Sequence, residues 1–319
     1  MKKIQTGTPR ARGRRLLIMT IAILCLATTA TAQEMASHHH TDTALNDAQN
    51  TQQRQDWARA RLAKSPRHQE WVDVKYGNRT VKSFVVYPEV KNKATAVVVI
   101  HEIFGMSDWV QALTDELAEA GYLAIAPDLL SGMGPNGGGT DELAASNGVG
   151  QAIGKLPPDQ ITTDLNAVAD YVSKLPAANG KVAVAGFCWG GSQSFRFATN
   201  RQTLKAAFVF YGTAPSTQLP DPKIDKAALE KIKAPVYGFY AGNDARVDAT
   251  VPPTQDAMKD LKKIYDIVIY DGAGHGFMRA GDAPEPAADA NQQVRDSYPA
   301  NKKARDAAWV RWKEILKKL

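Results

Sequence analysis

The sequence predicts an α/β chain built on a mostly parallel central sheet with helices on both faces. Three observations predict it. From residue 94 onward, short apolar runs alternate with longer segments of helical character. The runs are continuous rather than alternating, as in strands buried on both faces. Glu102, Cys188, Asp244 and His275 each follow such a run. In a parallel sheet, ligands and reacting groups collect at the carboxyl ends of the strands.

Residues 51–63 have a helical pattern, with Trp57, Ala60 and Leu62 as packing residues and Ser65-Pro66 as the stop. Residues 71–74 and 81–87 read as strands joined at Gly77-Asn78, a hairpin at a sheet edge. Residues 94–100 are a buried parallel strand. Residues 108–120 form an amphipathic helix with Gly121 at its C-terminal cap. Residues 122–126 are a short buried strand stopped by Pro127-Asp128, with Asp128 a turn or cap residue. Residues 131–139, rich in glycine, form a flexible loop. Residues 148–155 superficially resemble a phosphate loop, but the glycine spacing is wrong and Leu156 follows Lys155 where Ser or Thr is needed. A helix at 161–175 ends at Pro176. Residues 181–185 are a strand and 192–199 a helix. Strands follow at 206–211, 235–241 and 265–270, with a loop at 215–222 and a helix at 254–263. Residues 301–319 close the chain as a helix with Trp309, Trp312, Ile315 and Leu316 inward.

Charge separates the N-terminus from the rest. The 319 residues hold 39 Lys and Arg against 33 Asp and Glu, a formal charge of +6. The excess is Lys2, Lys3, Arg10, Arg12, Arg14 and Arg15. Without these the chain is neutral, so nothing argues for a nucleic-acid partner. Residues 1–32 read as an export signal. A basic region runs to Arg15, an apolar stretch covers 16–27, and Ala30-Thr31-Ala32 is a small-x-small cleavage site. The apolar run is shorter than the roughly 20 residues of a membrane span. Cleavage near Gln33 predicts a periplasmic protein with no stable membrane insertion. Arg14-Arg15-Leu16-Leu17 also resembles a twin-arginine signal, so the export route stays open. Leu24 is too bulky for lipid attachment at Cys25. Residues 33–69 are a polar leader with a short helix, and 70–319 the main domain. His38-His39-His40 lie adjacent in the flexible leader and make a poor closed metal site.

Cleavage leaves Cys188 as the single cysteine. A lone thiol in an oxidising compartment is a liability unless chemistry needs it. It lies in Gly186-Phe187-Cys188-Trp189-Gly190-Gly191, between a strand and a helix. Strand, tight glycine turn and helix are the context of a nucleophile elbow. A small buried hydrophobe is the competing reading. The glycines do not follow the Gly-x-Gly-x-x-Gly spacing of a dinucleotide site. The chain order of Cys188, Asp244 and His275 is nucleophile, acid, base, that of the α/β-hydrolase fold. His275 takes and returns a proton, and Asp244 orients the imidazole. Asp248 is the second candidate for the acid. Asp271 lies too close before His275. Backbone N–H groups of Ile103 and Trp189 are positioned to form an oxyanion hole, each typically worth ~3 kcal/mol of barrier.

His101-Glu102-Ile103-Phe104-Gly105, the cysteine elbow, Gly242-Asn243-Asp244 and His275-Gly276-Phe277 together resemble the dienelactone hydrolase family over roughly residues 70–319. The resemblance implies a Cys-His-Asp triad without metal or cofactor. It implies hydrolysis of a small lactone or ester, typified by dienelactone (carboxymethylenebutenolidase activity). It implies that Glu102 contacts the resting cysteine and helps to deprotonate it when substrate binds. Arg279 matches the arginine that binds the substrate carboxylate. Phe104, Trp189, Phe277 and the 131–139 loop are expected to shape the pocket. No counterpart of the family's second carboxylate-binding arginine is found near residues 140–160, where Lys155 is the nearest cation. The export signal and leader helix are additions to the family pattern. The oligomeric expectation is a monomer. The alternative function is a non-catalytic thiol-sensing or ligand-binding protein on the same fold.

Overall fold

The computed structural model describes residues 53–216 and 223–319. The expected export signal, leader residues 33–52 and residues 217–222 of the predicted loop lie outside the described residues. In chain order the strands are β1 (Gln69–Tyr76), β2 (Arg79–Val86), β3 (Ala94–Ile100), β4 (Leu123–Pro127), β5 (Ala178–Phe187), β6 (Ala207–Phe210), β7 (Val236–Ala241) and β8 (Tyr265–Tyr270). They form one sheet in the order β1-β2-β4-β3-β5-β6-β7-β8. β1 and β2 are the predicted edge hairpin, and β2 runs antiparallel to β4. Every other pairing is parallel.

Strand alternation divides the core into two layers. Val98, Ile100, Val184 and Val209 face one side, and Val99, Ala185, Phe187 and Phe210 the other. Helix Pro158–Ser173 covers the first layer through Ile161, Leu165 and Val168. Helices Asp108–Glu119 and Gln292–Leu316 cover the second through Trp109, Leu113, Trp309 and Trp312. Both sides of each central strand are therefore dry, which is why these runs read as continuously apolar. The second layer is aromatic at its centre. Phe187, Phe210 and Phe239 stack with centroids 4.6 and 4.3 Å apart, and Trp312 meets Phe210 edge-on at 5.0 Å.

One local element was not foreseen and two local expectations are corrected. Residues 140–155 hold two short helices, Thr140–Ala145 and Val149–Lys155. The first is captured from outside its own sequence, because Asp128 accepts the Thr140 N–H at 2.7 Å and its hydroxyl at 2.8 Å. The C-terminal helix begins at Gln292, not near 301, and Pro299 lies inside it. The Tyr298 hydroxyl, donating to Ala283 O at 3.1 Å, ties this early stretch down. In the leader helix, Asp56–Ala63, the buried residue is Ala58 and Ala60 is exposed. The rotation is set by Gln55, whose N–H donates to Asp108 at 2.7 Å while its side-chain oxygen accepts the Trp109 N–H at 2.9 Å. No described helix is long and apolar enough to cross a membrane.

Trp312 fills the centre of the aromatic layer with no exposure. Trp312→Ala is expected to cost about 3–5 kcal/mol of stability. A urea-unfolding midpoint unchanged from wild type would contradict this packing.

Candidate active site

Cys188 stands between β5 and the helix Trp189–Asn200, with φ of +57°. A non-glycine residue in this region is strained, and such strain persists only where the surroundings enforce it. Here the neighbouring backbone enforces it. A Cβ on Gly186 would collide with the Gly190 carbonyl, and one on Gly190 with the carbonyls of Ile100 and His101. The start of the helix therefore rests directly on the end of β3. This contact brings the sulfur against the loop that follows β3. The backbone N–H groups of Trp189 and Ile103, the two predicted oxyanion donors, lie near enough to the Cys188 sulfur to favour its thiolate. Burial, and then the Glu102 charge, raise the thiol to about 11, against the smaller opposing pull of those N–H groups and of Arg246.

Glu102 is 2% exposed and receives the Arg279 Nε–H at 2.7 Å. The Arg279 guanidinium also lies 5.2 Å from the centre of the Phe104 ring. Burial pulls Arg279 down, and the Glu102 charge more than restores it. The loop bearing Glu102 is held at both ends. His101 Nδ1 lies 2.8 Å from the Glu102 carbonyl, and the His101 ring stacks on Trp189. Farther on, the Met106 N–H donates to Thr140 Oγ1 at 3.0 Å, the same hydroxyl that Asp128 accepts. Asp128, expected as a turn or cap residue, accepts the Leu130 N–H locally and also reaches twelve residues on to Thr140.

The arginine side is anchored by a buried ion cluster. Asp282 accepts both Arg61 terminal nitrogens and Arg305 Nη2, each at 3.0 Å, and Trp109 Nε1 at 3.1 Å. Arg305 also binds Glu116 at 2.6 Å. The Asp282 N–H in turn donates to the Arg279 carbonyl at 3.3 Å. The leader helix, through Arg61, therefore braces the turn that carries Arg279.

His275 Nδ1 is hydrogen-bonded to the Asp244 carboxylate, which is 8% exposed. Between the two candidate acids the structure pairs His275 with Asp244. Asp248 points elsewhere, with one buried oxygen unpartnered, and burial followed by the Asp244 charge raises it. With Nδ1 committed to Asp244, Nε2 is the nitrogen left for proton transfer. The Tyr211 ring lies edge-on to His275 at 5.0 Å.

Glu102, Ile103, Phe104, Cys188, Trp189, His275 and Arg279 all line one cavity of about 500 Å³. Asp244 stands behind His275. Phe277 is a correction: it is fully buried against Tyr211 and Tyr270 and supports the wall from behind. The 131–139 loop is a second correction. Its residues border a different cleft of about 890 Å³, beside Trp71, Arg79 and Glu142. Sequence reasoning missed Tyr211, Ser192, Thr213, Arg246 and Val247, which complete the lining. Tyr211 and Arg246 follow β6 and β7, so the strand-end rule that found the others also pointed to them. Among the described residues no group of His, Cys, Asp and Glu is arranged to hold a metal ion.

Residues 81–319 match the family model "Dienelactone hydrolase family". A relative from Yersinia pestis named "Putative carboxymethylenebutenolidase" is 32% identical over 224 residues, covering 69% of this chain and 75% of its own. One of the same name from Saccharolobus solfataricus is 30% identical over 274 residues, covering 75% and 94%. Among solved structures, a dienelactone hydrolase-like promiscuous phosphotriesterase from metagenomic libraries superposes with a TM-score of 0.60 at 22% identity, covering 79% of this chain and 98% of that one. A dienelactone hydrolase from Anabaena variabilis gives 0.51 at 20% identity, covering 74% and 96%. At these identities the two structures show the fold, a mostly parallel α/β-hydrolase sheet with its helices.

The raised thiol has a measurable sign. A proton held more tightly leaves less thiolate at a given pH. At pH 8, Cys188 should carry roughly a hundredth of the thiolate of an ordinary cysteine. Its alkylation by iodoacetamide, followed by mass spectrometry, should rise tenfold per pH unit from pH 7 to 10 without a plateau. Glu102→Gln removes a charge that raises the thiol, so its profile should move to lower pH. A plateau near pH 8.5 in the wild type would contradict the raised value.

Proposed function

Since the chain belongs to the dienelactone hydrolase family, we propose that it hydrolyses a small lactone or carboxylic ester through Cys188 and a covalent thioester. The observation that carries this reading is the convergence of Cys188, Glu102, His275 and Arg279 on one cavity, with His275 already paired to Asp244. No cofactor is required for this chemistry.

In the resting enzyme the sulfur is protonated and occupies the two N–H donors. A substrate carboxylate competes with Glu102 for Arg279. Once Arg279 turns to the substrate, Glu102 helps to remove the thiol proton, which His275 takes while Asp244 stabilises the imidazolium. The thiolate forms a C–S bond to the carbonyl carbon. The oxyanion then takes the N–H groups of Trp189 and Ile103 that the sulfur has left. Collapse breaks the C–O bond, and His275 returns its proton to the leaving alkoxide. Water next loses a proton to His275 and attacks the thioester. The acid departs, and the proton on His275 goes back to the sulfur.

The raised thiol disfavours a redox sensor, and a hydrolase meets the same penalty by activating the thiol only when substrate engages Arg279. Sensor cysteines are exposed thiols of low pKa, whereas Cys188 is raised by burial and a neighbouring carboxylate. The N-terminal signal adds a proposal about place: the enzyme is exported and acts in the periplasm.

Cys188→Ala is expected to abolish turnover of p-nitrophenyl acetate, neutral lactones and dienelactone while leaving the circular-dichroism spectrum intact. Full retained activity would sink the mechanism. Arg279→Ala should weaken carboxylate-bearing substrates more than neutral ones. Cell fractionation should recover the processed chain, starting near Gln33, from the periplasm; an unprocessed cytoplasmic chain would overturn the export proposal.

A further inference from the structure

Two arginines line the cavity, and the sheet sets them on opposite flanks of the thiol. Cys188 follows β5, at the centre of the order β3-β5-β6-β7. Arg279 is bound to Glu102, which lies just after β3. Arg246 lies in the turn Ala245–Asp248 after β7, directly beyond Asp244. β3 and β7 stand three strand intervals apart, roughly 14 Å.

The two cations also differ in state. Arg279 is buried, and its charge is answered by Glu102. Arg246 is exposed, borders the same cavity and has no ion-pair partner among the described residues. It does not wander freely along the chain. Val247, the next residue, is 1% exposed and gives its N–H to the Asp244 side chain. Arg246 is therefore carried by a turn fixed to the partner of His275. A guanidinium at a cavity mouth takes a carboxylate in a two-pronged hydrogen bond. Nothing else in the lining on the β7 side answers its charge: Ser192, Tyr211, Thr213 and Val247 are neutral.

We infer that the substrate carries two anionic groups on either side of the scissile ester, one received by Arg279 and the other by Arg246. The inference rests on the hydrolase reading and names the substrate class of that site: an ester or lactone with a carboxylate on both its acyl and its alcohol part. Arg246 is in this scheme a specificity residue. It selects a substrate end and takes no part in proton transfer.

Four esters test it: phenyl pentanoate, phenyl hydrogen glutarate, 4-carboxyphenyl pentanoate and 4-carboxyphenyl hydrogen glutarate. They carry no acid, an acyl acid, an alcohol acid and both. Each kcat/KM is divided by that of the neutral ester. The doubly acidic ester should give the highest ratio in the wild type. Arg246→Gln should lower that ratio about fivefold, the effect of one partly exposed ion pair. The loss should appear in one singly acidic ester and not the other, with Arg246→Lys recovering part of it. Arg279→Gln should strike the other singly acidic ester. If both variants weaken the same one, the two arginines share a single carboxylate and the inference is overturned. It is equally overturned if Arg246→Gln leaves every ratio unchanged. Should no ester show Cys188-dependent turnover, the hydrolase reading fails instead. Calorimetric titration with azelate and nonanoate then reads the anchors without chemistry. Tighter azelate binding that Arg246→Gln removes supports two anchors, and equal binding of the two acids overturns them.

Discussion

The site depends on a backbone contact before it depends on any side chain. The first turn of the helix after Cys188 lies against the carbonyls of Ile100 and His101, closer than any Cβ would permit. Gly190 makes that contact possible, and Gly186 lets the strand pass beneath it. The cost is a cysteine held at positive φ. The return is position. With helix and β3 in contact, the N–H of Trp189 and the N–H of Ile103 converge from different segments on one point. The same contact sets Glu102 beside the thiol. A looser elbow would leave the charge relations of the site undefined.

Those charge relations balance one another in the empty cavity. Glu102 is buried and would be costly without Arg279, and Arg279 would be costly without Glu102. Each satisfies the other while the cavity is empty, and burial, with the carboxylate second, raises the thiol. On the proposed mechanism, an arriving anion would offer Arg279 another partner and so change the balance at the sulfur. The neutral ring of Phe104 over the guanidinium gives Arg279 a surface on which to turn without meeting a second charge. Recognition and activation then occupy the same few ångströms.

Most of this was legible in the sequence because the candidate site residues are bound to local motifs. A cysteine between spaced glycines, a glutamate after an apolar run and a histidine flanked by glycines each announce a strand end. Their convergence follows from the parallel sheet alone. What escaped were residues whose role comes from tertiary approach. Phe277 reads as a pocket residue beside His275, yet the left-handed turn at Gly276 sends it into the core. Arg246 and Tyr211 carry no motif, only position. The helix at Thr140 is started by Asp128, twelve residues earlier, so no local cap could reveal it. The C-terminal helix passes through Pro299, a residue that local rules read as a boundary.

The ion cluster at Asp282 has a consequence for how the chain assembles. Its members are Arg61, Glu116, Asp282 and Arg305. They span nearly the whole described sequence, and the buried carboxylates are satisfied only when both arginines have arrived. Arg61 is synthesised long before Arg305. The brace behind Arg279 therefore cannot close on a growing chain. Until the helix Gln292–Leu316 docks, Asp282 lacks Arg305, and the turn that carries Arg279 lacks half of its brace.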